Sequence, residues 1–230
     1  MKKELLILVL FSMMKIGFTQ GVRFTAQLGV ASPIGDFSNN EGDPKNGGFA
    51  TTGFDMKLVG ERFFESNWVS GINLGYSLFP VDVDAIKRSV NPTNPESVGV
   101  ESQSFQNINL QFRGGYNFSF LENKLAVVPF VDAGLGVFNS AYYLVSQNNT
   151  NIFLRSGNTG LGFLVSPGIN LVIAMNDMIG ISVYSSYQFA SYDVKEQFKS
   201  LGTSTGINWT ETISYPYRSM NYGLGVSLTL

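Results

Sequence analysis

Met220-Asn221-Tyr222-Gly223-Leu224-Gly225-Val226-Ser227-Leu228-Thr229-Leu230 alternates without a break, large apolar residues at every even position and small or polar ones between. Successive strand side chains point to opposite faces. One face of this strand is therefore uniformly greasy and the other slender and polar. The run has about the length a tilted strand needs to cross a bilayer, and it ends at Leu230. That pattern predicts the closing strand of a transmembrane β-barrel.

Working outward, seven further segments show the same period. They cover 22–31, 49–59, 68–79, 105–118, 125 to about 143, 160–174 and 178–192, and the last strand begins near 212. The connections alternate between long and short, as in bacterial barrels with tight turns at one end and loops at the other. The reading is all-β: an eight-stranded antiparallel up-and-down transmembrane β-barrel over residues 20–230. The turns near Gly60, Leu121 and Asn176 are expected to be periplasmic, and the loops near Glu41, Pro92, Asn149 and Gly206 extracellular. Pro129 and Pro167 fall inside strands. A closed barrel has no free edge for a missing N–H, so a β-bulge is expected at Pro167.

Composition agrees. Charged residues are 14% of the 230, against about a quarter in soluble domains. Beyond the N-terminus no apolar run is long enough for a membrane helix. Lys2 and Lys3 followed by an apolar stretch over 5–14 read as a signal peptide over residues 1–19, cleaved near Thr19. The net charge of −2 gives no electrostatic case for nucleic acid. Cysteine and histidine are both absent. Their absence removes disulfides, thiol nucleophiles, Ser-His pairs and imidazole metal sites, so the chain reads as a non-enzymatic protein with no cofactor, no metal site and no catalytic residue. A soluble lipocalin-like barrel has the same period but turns its apolar face inward and coats its outside with charge. The polar face here is mostly Gly, Ser, Asn and Thr, which disfavours that alternative.

The slender faces carry few charges: Arg23, Asp55, Lys57, Arg113 and Asp132. An eight-stranded bore is just wide enough for side chains, and an unpaired buried charge costs several kcal/mol. Two interior ion-pair clusters are therefore expected, Arg113 with Asp132 and Asp55 with Arg23 and Lys57. Asn73, Asn109, Gln111 and Asn170 would complete the hydrogen bonding. Trp68, Phe79, Phe118, Phe120, Tyr143, Tyr215 and Tyr217 lie near strand ends and read as interfacial girdles. Phe63 and Phe64 in a turn are candidates to dock a partner. Asp36, Asn39, Asn40, Glu41 and Asp43 miss the calcium-loop spacing and read as a solvated acidic loop.

The terminal strand, the phrase Leu28-Gly29-Val30-Ala31-Ser32-Pro33-Ile34-Gly35-Asp36-Phe37 and the phrase Pro129-Phe130-Val131-Asp132-Ala133-Gly134-Leu135-Gly136 resemble the small outer-membrane β-barrel superfamily. Bacteroidota-type, PorT-like members are the nearest in style, and OmpX- and OmpW-type barrels share the architecture. The resemblance spans the mature chain, with Leu230 where the family usually ends in an aromatic, and carries over no functional residue. It implies residence in the cell outer membrane, contact with its lipid and lipopolysaccharide, and handling by the barrel-assembly machinery during insertion. It also implies a structural or interaction subunit, accessory to a larger outer-membrane or secretion machine, with protein partners met through extracellular loops or periplasmic turns. The alternative is a narrow, porin-like channel or a hydrophobic small-molecule conduit of OmpW style.

Overall fold

The structure, a computed structural model, describes residues 21–39, 48–148, 150–201 and 207–230. The signal peptide at 1–19, the acidic positions Asn40, Glu41 and Asp43, and the loop positions Asn149 and Gly206 lie outside the described residues.

Among the described residues twelve strands are formed: β1 (Val22–Pro33), β2 (Gly53–Phe63), β3 (Trp68–Phe79), β4 (Val98–Ser102), β5 (Phe105–Tyr116), β6 (Phe118–Phe120), β7 (Leu125–Asn139), β8 (Tyr143–Gln147), β9 (Thr150–Ser156), β10 (Thr159–Ala174), β11 (Ile179–Ser200) and β12 (Asn208–Thr229). One helix, α1 (Val83–Val90), follows β3. Eight of the strands close an antiparallel ring in the order β1-β2-β3-β5-β7-β10-β11-β12. β12 returns to β1 along a ladder from Arg23 opposite Thr229 to Pro33 opposite Ser219. Ring neighbours follow chain order, which is the up-and-down topology.

The pattern is inside-out relative to a soluble barrel. Large apolar residues cover the outside, with Leu161 74%, Phe112 71% and Leu135 68% exposed, while Asp55, Lys57, Glu61 and Asn73 are at or below 1%. A soluble monomer rarely bares more than a few hundred Å² of contiguous apolar surface; this belt encircles the molecule. On β10 it runs from Leu161 to Ile173, about 40 Å along the strand. A tilt of about 40° reduces that to roughly 30 Å of bilayer.

Above the belt, on the long-loop side, five strands of the wall continue as a half-collar. β11 and β12 rise without interruption and stay paired up to Lys199 opposite Asn208. β5, β7 and β10 are prolonged by β4, β8 and β9, so the collar order β4-β8-β9-β11-β12 repeats the wall order below it. In segments 80–104, 146–158 and 193–212, expected to be loops, the described residues are thus largely strand and helix. α1 lies on the concave side, burying Ala85 and Ile86 against Phe49, Val98, Tyr143 and Val145. Its first turn is capped by the Asp82 side chain accepting from the Ala85 N–H at 2.8 Å.

Pro167 produces no bulge. Its rungs to β7 are in register, and toward β11 the ladder lapses at Ser166 and Pro167 and resumes in the same register at Gly168 opposite Ser186. Pro129 sits where the β5–β7 and β6–β7 ladders leave a similar gap. Each proline gives up rungs on one side, which costs less than re-registering a closed sheet.

Candidate functional site

The bore is filled in three layers. In the first, nearest the chain ends, Glu61 receives Arg23 at 2.6 Å and Arg113 at 2.9 Å. Arg113 also forks onto Asp132 at 2.7 and 2.9 Å, and Asn73 donates to the same carboxylate at 2.9 Å. Both pairs are directly opposed across strands, Arg23 facing Glu61 and Arg113 facing Asp132, where side chains meet without strain. The Arg113 guanidinium stacks 3.7 Å over the Phe130 ring and that of Arg23 4.6 Å over Phe63.

The second layer centres on Asp55. It accepts from Tyr184 at 2.7 Å, Ser77 at 2.8 Å and Asn221 at 2.9 Å, with Lys57 at 3.4 Å. Lys57 in turn donates to Ser186 at 2.7 Å and lies over the Tyr184 ring. Gln111 donates to Ser166 at 2.9 Å and Gln27 reaches Asn170 at 3.4 Å. Asn109 stands against Gly75 and makes no side-chain hydrogen bond among the described residues. A Cβ on Gly29 would collide with the Tyr184 hydroxyl, and one on Gly136 with that of Tyr192. These interior glycines make room for side chains crossing the bore.

All five charged residues singled out from the sequence point inward and are buried. The structure brings Arg113 to Asp132 and Asp55 to Lys57. It sends Arg23 to Glu61 instead of Asp55. Among the described residues three cations, Arg23, Lys57 and Arg113, face three anions, Asp55, Glu61 and Asp132, so the formal charges of these two layers balance.

The third layer is an aromatic stopper. Phe37, carried in by the turn Gly35–Phe37, lies 5.1 Å from Phe79, 5.5 Å from Phe105 and 5.1 Å from Tyr217. Tyr192 stacks on Phe138 at 5.1 Å. The hydroxyls of Tyr192 and Tyr217 turn toward Asn107 at 3.0 Å and Gln188 at 3.1 Å, tying the stopper to the polar layer. The expected girdle is therefore divided. Trp68, Phe118 and Phe120 are exposed at the short-turn end, whereas Phe79, Tyr143, Tyr215 and Tyr217 are buried inside. Phe63 and Phe64 are half-buried, beneath the guanidinium groups of Arg23 and Arg62 respectively.

In the collar, Arg155 of β9 and Glu196 of β11 form a buried pair, with Arg155 Nη2 donating to Glu196 at 2.8 Å. Tyr215 donates to the same carboxylate, and Arg155 reaches Tyr143 at 3.2 Å. Burial pushes the Glu196 carboxyl above its usual range, against the opposing pull of Arg155. Neither residue is found by reading loops from composition. Among the described residues no group of three or more metal-ligating side chains converges.

Such a closed, lipid-faced barrel with its bore packed by side chains belongs structurally to the small transmembrane β-barrels. No protein-family model matches the chain, and no curated protein matches it by sequence. Solved structures do. A major outer membrane protein from Thermus thermophilus is similar with a TM-score of 0.55 at 12% identity, over 92% of this chain and 100% of that one. The outer membrane protease OmpT from Escherichia coli is similar at 0.51 and 9% identity, over 94% of this chain and 99% of that one. At these identities the likeness is one of fold.

Proposed function

We propose that the protein is a non-enzymatic barrel of the cell outer membrane, exported by its N-terminal signal peptide. The bore serves as a structural filling, and function resides on the surface. The collar then faces the cell exterior and the turns near Leu121 and Asn176 face the periplasm. The supporting observation is the filling of the bore by buried side chains: two ionic layers beneath an aromatic stopper favour binding, and not passage, as the use of the molecule. A rigid wall that lifts five strands above the bilayer is a scaffold of the kind that presents binding loops. The role that fits is an interaction subunit of a larger outer-membrane or secretion assembly, in the PorT-like style.

Copurification from native membranes tests this. A stoichiometric protein partner is expected, retained when detergent replaces lipid. The conduit alternative predicts instead a lone monomer that gives discrete conductance steps in planar bilayers, and that pair of results would overturn the subunit reading. Retention of a folded monomer in plain buffer without detergent would overturn the membrane reading itself.

A further inference from the structure

Where the wall gives way to the collar, its outer side carries a polar notch. On β5, β7 and β10 the outward apolar columns end at Ile108, Val137 and Leu161. One step higher the register sets Gln106 beside Asn139 and Asn139 beside Thr159. Above this row the chain kinks three times, at 103–104, 140–142 and 157–158, as the collar strands leave the wall. The kinks open a cavity of about 380 Å³ lined by these residues together with Gln103, Ser104, Tyr142 and Asn158. That lies within the roughly 300–1,000 Å³ of small-molecule sites.

Two features of the lining identify a ligand class. No Lys, Arg, Asp or Glu contributes to it, so a phosphate or ammonium headgroup would find no counter-charge. Amides and hydroxyls both donate and accept, as sugar hydroxyls do. Thr159 and Asn139 already bond each other at 2.7 Å, and Asn158 is held by Ser140. By contrast, Gln103, Ser104, Gln106 and Tyr142 make no side-chain hydrogen bond among the described residues, and Tyr142 offers an aromatic face of the kind sugars stack on.

The position identifies the source. Directly below the notch lie the exposed Ile108, Leu135 and Leu161, a surface for acyl chains. We propose that the notch binds the neutral saccharide headgroup of a glycolipid seated in the adjoining leaflet, its chains lying along those three residues. The proposal rests on the transmembrane reading and is independent of the subunit role.

Side-chain amide spectra of the full chain in phosphatidylcholine nanodiscs, titrated with monoglucosyl-diacylglycerol, test it. Saturable shifts at Gln103, Gln106 and Asn139 are expected, weakened about tenfold by Gln106→Ala and by Tyr142→Ala, the loss of roughly one good contact. Gln106 sits at the surface, so its variant remains informative if Tyr142→Ala folds poorly. No shift, or an equal shift with phosphatidylglycerol, overturns the saccharide assignment. Equal binding of free methyl glucoside overturns the lipid source. Heat-modifiable mobility on gels reports insertion separately; a chain that never inserts refutes the transmembrane reading, and the proposal with it.

Discussion

Arg113 holds two carboxylates at once, Asp132 through a fork and Glu61 through its remaining amine. Removing it strands Asp132 with only Asn73, so Arg113→Ala should cost about 3–5 kcal/mol, the usual loss when one partner of a buried pair is deleted. Urea midpoints in detergent micelles measure this. The double variant Arg113→Met/Asp132→Leu should lose less than the single one, because Glu61 keeps Arg23 and no carboxylate is orphaned. The Arg113–Asp132 pair is legible in the sequence because the two residues lie equally far from their shared turn. Glu61 is equally available, since Asp55, Lys57, Val59 and Glu61 share one face, but a second strand ended at Val59 leaves it out. Counting inward positions back from Asn221 likewise gives Ser219, Tyr217 and Tyr215, all buried. Proximity to a strand end suggests a girdle where the alternation indicates the bore. Phe37→Ala would remove the centre of that aromatic layer at about 3–5 kcal/mol. With both ionic layers intact beneath it, planar-bilayer recordings should stay silent; steady conductance from this variant would make the stopper the sole seal.

β11 keeps strict alternation above the bilayer, but with the polarity reversed. Tyr192, Val194, Glu196 and Phe198 are buried while Asp193, Lys195 and Gln197 are exposed. Outside lipid the greasy face turns inward, as in any soluble sheet, and a reading keyed to apolar-outward residues takes this stretch for a loop. That sign change, and the shortness of β4, β8 and β9, hide the collar from the sequence. Its buried pair should respond to pH. Because burial raises the Glu196 carboxyl in the folded collar, its contribution to stability is fully present below about pH 4.5, the unfolded value. It is lost as pH rises through the higher folded value. Thermal unfolding of the collar should therefore show wild type and Glu196→Gln diverging as pH rises from about 4.5 to 8, and a constant difference would refute this. At the opposite end, Leu121, Glu122 and Asn123 all have positive φ, 52°, 55° and 68°. Left-handed backbone costs a non-glycine residue roughly 1–2 kcal/mol. Glu122→Gly should thus stabilise the barrel by about 1 kcal/mol, readable as a higher urea midpoint.

At the scale of the whole molecule, the eight-stranded ring is legible because lipid outside and a narrow bore inside impose one rule on every strand, and the rule survives in the residues themselves. The ring closes where β12 meets β1. The Val22 N–H donates to Leu230 O at 3.1 Å and the Leu230 N–H to Val22 O at 2.9 Å, so β12 and β1 meet as a hairpin lacking only its turn. In a variant made without residues 1–20, joining Leu230 to Gly21 through a short Gly-Asn linker and opening the chain between Asn176 and Asp177 should therefore preserve the fold. The new break falls in a turn at the short-turn end, where Met175 and Asn176 both donate to Ile179 and few contacts are lost. Permutation is generally tolerated at such sites. The exchange trades one long-range closure, β1 with β12, for another, β10 with β11, so the loop-closure entropy changes little. The collar is untouched, because β4, β8 and β9 and the β11–β12 hairpin keep their connections. The permuted chain should refold into lipid vesicles with the same heat-modifiable mobility and an unfolding free energy, from urea titration, within about 1 kcal/mol of the parent. Failure to close would mean that the β1–β12 seam needs strand order, and not only register, to form.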